Sequence, residues 1–528
     1  MRKIGYLGGY RLIGPLPGAL SQLADVSDEQ MGALSIIGDS SGQGFMLASG
    51  GRLCGGDCEG AAGLYEGFPA VTAHSLGSES FRQAYRTKYA YYAGAMANGI
   101  SSVQMVVKLG LAGYMGSFGS GGLSPNEVER AIDQIQLHLK DGGYLINLLH
   151  SPDDENREDA MVSLFLEKSV RAIEASAFVD VSPALVRYRL AGCVKNEDGV
   201  SCDNHIIAKV SRREVAGKFM TPPDPAIIAS LLAKGLITAD QAMWAKDIPV
   251  ADDITIEADS GGHTDNGPLI SLLPLIIGIR DEVQRRYGYA QPIRVGAAGG
   301  IATPQSAAAA FQMGADYVVT GSVNQSCVEA GTSDYVKDML ARVDMSDVVM
   351  APSADMFESG ARVQVIKTGT MYPMNAQKLY DLYTRYSCLE DIPGTDMRAI
   401  EKRLFHCDVD TVWTYVEEYF TRVDPHVLRK AETNKKLKMA LVFRWYLGNS
   451  SRWAIHGDLD RRMDMQIWCG KSMGAFNQWV RGTELESPAN RTVVGIADAI
   501  MSEAAVITMR NYLQLLGVNW GTRSGYYY

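Results

Sequence analysis

Two stretches decide the reading of this chain: Ile293-Arg294-Val295-Gly296-Ala297-Ala298-Gly299-Gly300-Ile301, and Tyr317-Val318-Val319-Thr320-Gly321-Ser322-Val323-Asn324-Gln325. Each is an apolar run of strand length that ends in small residues, and Thr303-Pro304 after the first opens a helix. Small residues at the end of a strand leave backbone N–H groups open to an anion, which a helix N-terminus reinforces. Working back from these two, β-like runs fall at 89–95, 113–118, 144–149, 172–178, 205–210 and 253–258. Helical runs lie between them, for example 125–139, 269–286 and 304–313. The count of eight over roughly 250 residues is that of a closed (β/α)8 TIM barrel. The glycine loops then follow strands seven and eight, where such barrels hold a phosphate. An open doubly wound sheet would carry a G-x-G-x-x-G turn after its first strand. Gly94-Ala95-Met96-Ala97-Asn98-Gly99 is not one.

Strand six runs into Glu257-Ala258-Asp259-Ser260-Gly261-Gly262-His263-Thr264-Asp265-Asn266. Gly261 and Gly262 let backbone N–H groups approach a flat ligand, and His263 follows at once among hydroxyls and carboxylates. Outside the barrel, residues 1–80 read as an N-terminal accessory segment. Residues 42–67 hold nine glycines and are expected to be mostly loop. Residues 211–252 exceed a simple βα connection and read as an insertion within a barrel domain of 81–345. Residues 346–528, rich in helix formers and aromatics, read as a C-terminal helical domain for substrate or partner.

The composition narrows the function. The chain has 528 residues, and 60 acidic against 50 basic side chains give a net charge of −10, which argues against a nucleic-acid partner. The longest apolar run, 269–279, is broken by Ser271, Pro274 and Gly278, so neither a transmembrane helix nor a membrane partner is expected. With an N-terminus unlike a signal peptide and eight scattered cysteines, the expectation is a cytoplasmic protein with reduced thiols, Cys193 and Cys202 included. Cys54 and Cys58 lack the two further ligands a metal site needs, so no metal is expected. Gly38-Asp39-Ser40-Ser41-Gly42 fits a nucleophile elbow, but no convincing helix follows it.

Longer stretches carry a family resemblance: Tyr91-Tyr92-Ala93-Gly94-Ala95-Met96-Ala97-Asn98-Gly99-Ile100, Asn147-Leu148-Leu149-His150-Ser151-Pro152, Glu174-Ala175-Ser176-Ala177, Phe443-Arg444-Trp445-Tyr446-Leu447-Gly448 and Ile467-Trp468-Cys469-Gly470, with the loops quoted above. From about residue 78 onward the chain resembles the PfaD-type trans-acting enoyl reductases of polyketide and polyunsaturated fatty acid synthases, relatives of nitronate monooxygenases and FMN-dependent enoyl reductases. The resemblance implies an FMN-binding barrel that reduces enoyl thioesters on acyl carrier protein with NADPH. In that reading Ala298, Gly299, Gly300, Gly321 and Ser322 hold the FMN phosphate, and Gly94, Ala95 and Met96 back the isoalloxazine. Asn147 and Lys209 face the flavin or its ribityl chain, and His263 is the proton donor. The family pattern has arginine where this chain has His205 and Gly267, which puts in doubt how thioester or NADPH phosphate is held. A nitronate monooxygenase-like flavin oxidase, or a noncatalytic piece of a synthase, are the competing readings. A homodimer is compatible with all of them.

Overall fold

The computed structural model describes residues 71–515, apart from 141, 152–154, 198 and 263–264; before residue 71 it describes the backbone of five strands. The barrel strands are β1 (Tyr91–Ala93), β2 (Met115–Phe118), β3 (Leu145–Leu149), β4 (Ala172–Ser176), β5 (His205–Val210), β6 (Asp253–Glu257), β7 (Arg294–Ala298) and β8 (Tyr317–Thr320). They pair in sequence order, all parallel, and β8 closes on β1 through Val318↔Tyr91 and Thr320↔Ala93. The eight runs expected from sequence are these eight strands.

Alternation along each strand sorts the side chains. On β6, Ile254 and Ile256 join the large core between sheet and helices, while Asp253, Thr255 and Glu257 point inward. The inward groups at the strand N-termini fill the floor. Phe81 stacks on Tyr317 with centroids 4.3 Å apart, and Arg294 forks onto Asp253 at 2.6 and 2.7 Å. The Thr255 hydroxyl lies 3.1 Å from the Tyr92 hydroxyl and 2.8 Å from that of Tyr317. With its floor plugged, the barrel is open only at its strand C-termini.

The outer ring comprises α1 (Val103–Leu111), α2 (Pro125–Leu139), α3 (Glu155–Glu167), α4 (Pro183–Ala191), α5 (Arg213–Met220), α6 (Leu269–Tyr287) and α7 (Pro304–Gln312). Their starts are written in the sequence. Ser124 and Glu127 form a capping box ahead of Pro125, and Thr303 and Ser306 do the same ahead of Pro304. Each such cap contributes about 1 kcal/mol. The 211–252 stretch holds α5 and then two further helices, Pro225–Ala233 and Ala239–Trp244.

After β8 the chain leaves the barrel. It forms an antiparallel hairpin, β9 (Val348–Pro352) and β10 (Arg362–Ile366), and a helical region that includes α8 (Tyr372–Arg385), α9 (Val409–Val423) and α10 (Lys435–His456). It then returns: α11 (Val493–Leu515) packs between α7 and α1, and Val493, Ile496, Ile500 and Met501 are buried in the barrel's own core. The helix that completes the ring after β8 is therefore the last helix described, and the helical region is spliced in before it.

Three expectations are corrected. The glycine-rich 42–67 stretch is not mostly loop: strands Phe45–Ser49, Arg52–Gly55 and Ala62–Phe68 run through it, in a five-stranded sheet with Tyr10–Ile13 and Leu34–Gly38. The residues between the glycines suffice for short strands. Cys193 and Cys202 are not free thiols but a disulfide. Strands Cys193–Asn196 and Gly199–Cys202 form a hairpin whose register sets the two cysteines directly opposite, Cα atoms 4.1 Å apart. His205 is not near the mouth. It opens β5 at the floor, where its Nδ1 lies 3.3 Å from Asp252, a carboxylate that Arg189 also grips at 2.6 and 2.8 Å. The Ser40 and Cys58 readings lie outside the described residues. Among the described residues no cluster of three or more His, Cys, Asp or Glu side chains could hold a metal ion, and no helix is long and apolar enough to cross a membrane.

Candidate active site

One cavity of about 920 Å³ opens at the strand C-termini, at the upper end of the usual range for ligand sites. Its floor is barrel loop: Gly94, Ala95 and Met96 after β1, Asn147 on β3, Gly261 and Gly262 after β6, Ala298, Gly299 and Gly300 at β7, Gly321 and Ser322 after β8. Of the residues singled out from sequence, these converge on one space. Lys209 does not line it, and His263 lies outside the described residues.

The β7 and β8 loops have the shape of a cradle. Gly299 has φ +77°, and a Cβ there would meet the Ala258 backbone at 2.8 Å, so the close approach of the β6 and β7 loops requires glycine. At Gly300 and Gly321 an added Cβ would meet nothing within 4 Å: their faces open on the cavity. The first turn of α7 is partly answered by its own cap, since Thr303 accepts from the Ser306 N–H at 3.3 Å. The Ser322 hydroxyl is engaged as well, accepting from the Gly470 N–H at 2.9 Å. The loops leave for an anion their backbone N–H groups and the Ser322 O–H, which accepting from Gly470 does not use.

Beneath them sits a charge cluster that sequence reading half found. Alternation turns Glu174 on β4, Lys209 on β5 and Glu257 on β6 inward, side by side. Lys209 Nζ lies 3.2 Å from Glu174 and 3.6 Å from Glu257. Burial opposes the ammonium charge, but Glu257 and Glu174 outweigh it and raise the lysine pKa. Lys209 is thus held between two carboxylates at the barrel's throat. Glu174, fully buried, also accepts from the Ala95 N–H at 3.1 Å, and Glu257, which lines the cavity, accepts from the Ser260 hydroxyl at 2.8 Å. Asn147 spends its amide N–H groups on the Glu174 carbonyl at 2.9 Å and the Ser176 hydroxyl at 2.8 Å. The two glutamates were missed from sequence; their inward place in the alternation of β4 and β6 is the one signal that marks them.

The roof comes from the spliced region and was missed as part of the site. Trp445 and Trp453 of α10, Tyr415 and Tyr419 of α9, and Gln466 and Trp468 line the same cavity. Segment 466–470 lies along β10: Ile366 N–H donates to the Ile467 carbonyl at 3.1 Å, and Cys469 N–H to the Gln364 carbonyl at 3.1 Å. Gln364 in turn donates to both Asp259 and Asn266, one at each end of the β6 loop. The lid is thus hydrogen-bonded to the loops after β6 and β8.

Residues 80–382, more than half of the chain, match the family model described as nitronate monooxygenase, and residues 386–465 match the inserted helical domain of [acyl-carrier-protein] S-malonyltransferase. The chain therefore belongs to the nitronate monooxygenase family of oxidoreductases. It is 48% identical over 83% of its length to the polyketide biosynthesis protein PksE of Bacillus subtilis, and 48% identical over 79% to a polyunsaturated fatty acid synthase component of a Thraustochytrium species. It spans 57% and 28% of those two relatives' own lengths. The crystal structure of the enoyl reductase domain of MlnA, from the macrolactin cluster of Bacillus amyloliquefaciens, superposes with a TM-score of 0.81 at 42% identity, covering 84% of this chain and 99% of that one. Within the family the chain stands with the PfaD-type members of polyketide and polyunsaturated fatty acid synthesis.

Proposed function

We propose that this chain is an FMN-dependent enoyl reductase that takes reducing equivalents from NADPH and saturates the α,β-double bond of enoyl thioesters carried by acyl carrier protein. The observation that carries the reading is the single cavity that joins the glycine cradle of β7 and β8 to the aromatic roof. Its size leaves space for a thioester beside a flavin. Similarity to the MlnA enoyl reductase domain and to the synthase proteins supports the substrate class.

The residues present fit FMN. The faces of Gly300 and Gly321 open where a monophosphate needs backbone donors, and Gly94 to Met96 offer a small-residue floor. Bound flavin would supply the hydride chemistry. The loop N–H groups around Gly299, Gly300, Gly321 and Ser322 hold the phosphate end. Glu174 fixes the Ala95 amide and, with Glu257, fixes Lys209, so the throat below the cavity is charged and tied together. The roof excludes water from the reacting carbons. His263, next in chain to Gly262, donates the proton to the α-carbon of the thioester. The synthase relatives and the match to a domain of an acyl-carrier-protein transferase support a carrier-borne substrate.

The test is an absorption spectrum of the purified protein, anaerobic NADPH titration, and turnover of crotonyl thioesters. A flavin spectrum bleached by NADPH and restored by the enoyl thioester is expected. A protein that neither carries nor takes up FMN, or whose reduced flavin ignores the thioester, sinks the reading.

A further inference from the structure

Gln466 is only 2% exposed, yet its Oε1 has no hydrogen-bond partner among the described residues, and the side chain lines the cavity. A buried amide oxygen left unanswered is costly, so a native structure that retains one beside a cavity invites a donor from outside the chain. The segment that carries it is extended and paired to β10, so alternation sends Ile467 and Cys469 into the core, 1% and 0% exposed. Gln466 and Trp468 fall on the other face and both border the cavity. No hydrogen bond engages the Trp468 indole among the described residues. One strand edge thus offers the cavity a hydrogen-bond acceptor and, two residues on, a flat aromatic surface. Two residues further still, Gly470 is bonded to Ser322 of the cradle.

We propose that Gln466 and Trp468 form a subsite for a planar carboxamide, with the amide N–H donating to Gln466 Oε1 and the amide plane lying on the indole. This rests on the reading that a thioester and a nicotinamide nucleotide enter this cavity, and it names what holds them there. Two reactants of that reading carry such a group: the pantetheine arm, with two secondary amides, and the nicotinamide ring, with one primary amide.

The test uses the FMN-loaded protein and probes that need no turnover, so it stands apart from whether reduction occurs. Pantetheine and nicotinamide are titrated separately against wild type and Gln466→Leu, followed by tryptophan fluorescence and by perturbation of the flavin spectrum. Binding of one of the two amides is expected to weaken about tenfold in the variant. Loss of pantetheine binding assigns the subsite to the arm, and loss of nicotinamide binding assigns it to the nucleotide. If Gln466→Leu does not fold, wild type is titrated with pantetheine N-methylated at both amides and with N,N-dimethylnicotinamide, neither of which has an N–H to give. Undiminished binding of both amides by the variant, or of both methylated probes by wild type, overturns the proposal.

Discussion

The Ser322 hydroxyl accepts a hydrogen bond from the Gly470 backbone N–H at 2.9 Å, joining the loop after the eighth barrel strand to a segment 148 residues further along the chain. Accepting this bond uses a lone pair and leaves the Ser322 O–H free to donate, so the side chain can tie the cradle to the roof and still face an anion. Ser322→Ala should keep most of its flavin, held in the main by backbone N–H groups. It should lose about 1 kcal/mol of stability and show faster amide exchange at Gly470. Hydrogen exchange with mass spectrometry reads both, and complete loss of flavin in this variant would return the hydroxyl to the phosphate.

Gly321 gives the clean test of the cradle. An added Cβ there meets nothing within 4 Å, whereas a side chain at Gly299 strikes the Ala258 backbone. Gly321→Asp should purify without flavin and with its melting temperature within a few degrees of the flavin-free wild type. A yellow Gly321→Asp protein would place the phosphate elsewhere.

Lys209 is tied to two carboxylates, so removing it strands both. Lys209→Met should destabilise the fold by about 3–5 kcal/mol in urea unfolding, and adding Glu174→Gln should recover part of that loss. Full additivity of the two substitutions would show that the cluster is not coupled.

His263→Ala should leave flavin content and NADPH-driven reduction nearly intact, because neither needs a proton from the histidine. Reoxidation by the enoyl thioester should slow by at least about tenfold, the low side of general-acid effects. Unchanged stopped-flow reoxidation would remove His263 as the acid, and loss of flavin would make its role structural.

Residues 429–462 hold nine Lys or Arg against three Asp or Glu, a local basic excess on an acidic chain, with Arg461 among them buried. Within it, Lys436 is committed: it donates to the Tyr383 and Tyr386 carbonyls at the end of α8 and lies over the Tyr383 ring. Lys435 and Arg429 are exposed. Reversing Lys435 and Arg429 should impair carrier-bound substrate more than a small thioester, and the difference should shrink with salt. Equal effects on both substrates would argue against docking here. Reversing Lys436 should instead lower stability.

The barrel was legible because its strands are short apolar runs ended by small residues, a pattern local in sequence. The cradle was legible for the same reason, since Gly299, Gly300 and Gly321 each announce a backbone conformation or an open face. What escaped depends on partners distant in the chain. Glu174 and Glu257 acquire meaning only when alternation sets Lys209 between them. Gln364 is an unremarkable polar residue until β10 lays it across both ends of the β6 loop. His205 drew notice because the family pattern has arginine in its place, but it begins a strand, and only the end of a strand reaches the mouth.

The last described helix, α11, is a stave of the barrel, and the roof is drawn from the chain between β8 and it. The roof is therefore anchored by two chain crossings on the same side of the barrel, like a bracket bolted at both feet. Such a bracket can flex but cannot swing away on a single tether. A chain severed after residue 345 would forfeit more than its cover, because the ring itself would be left one stave short.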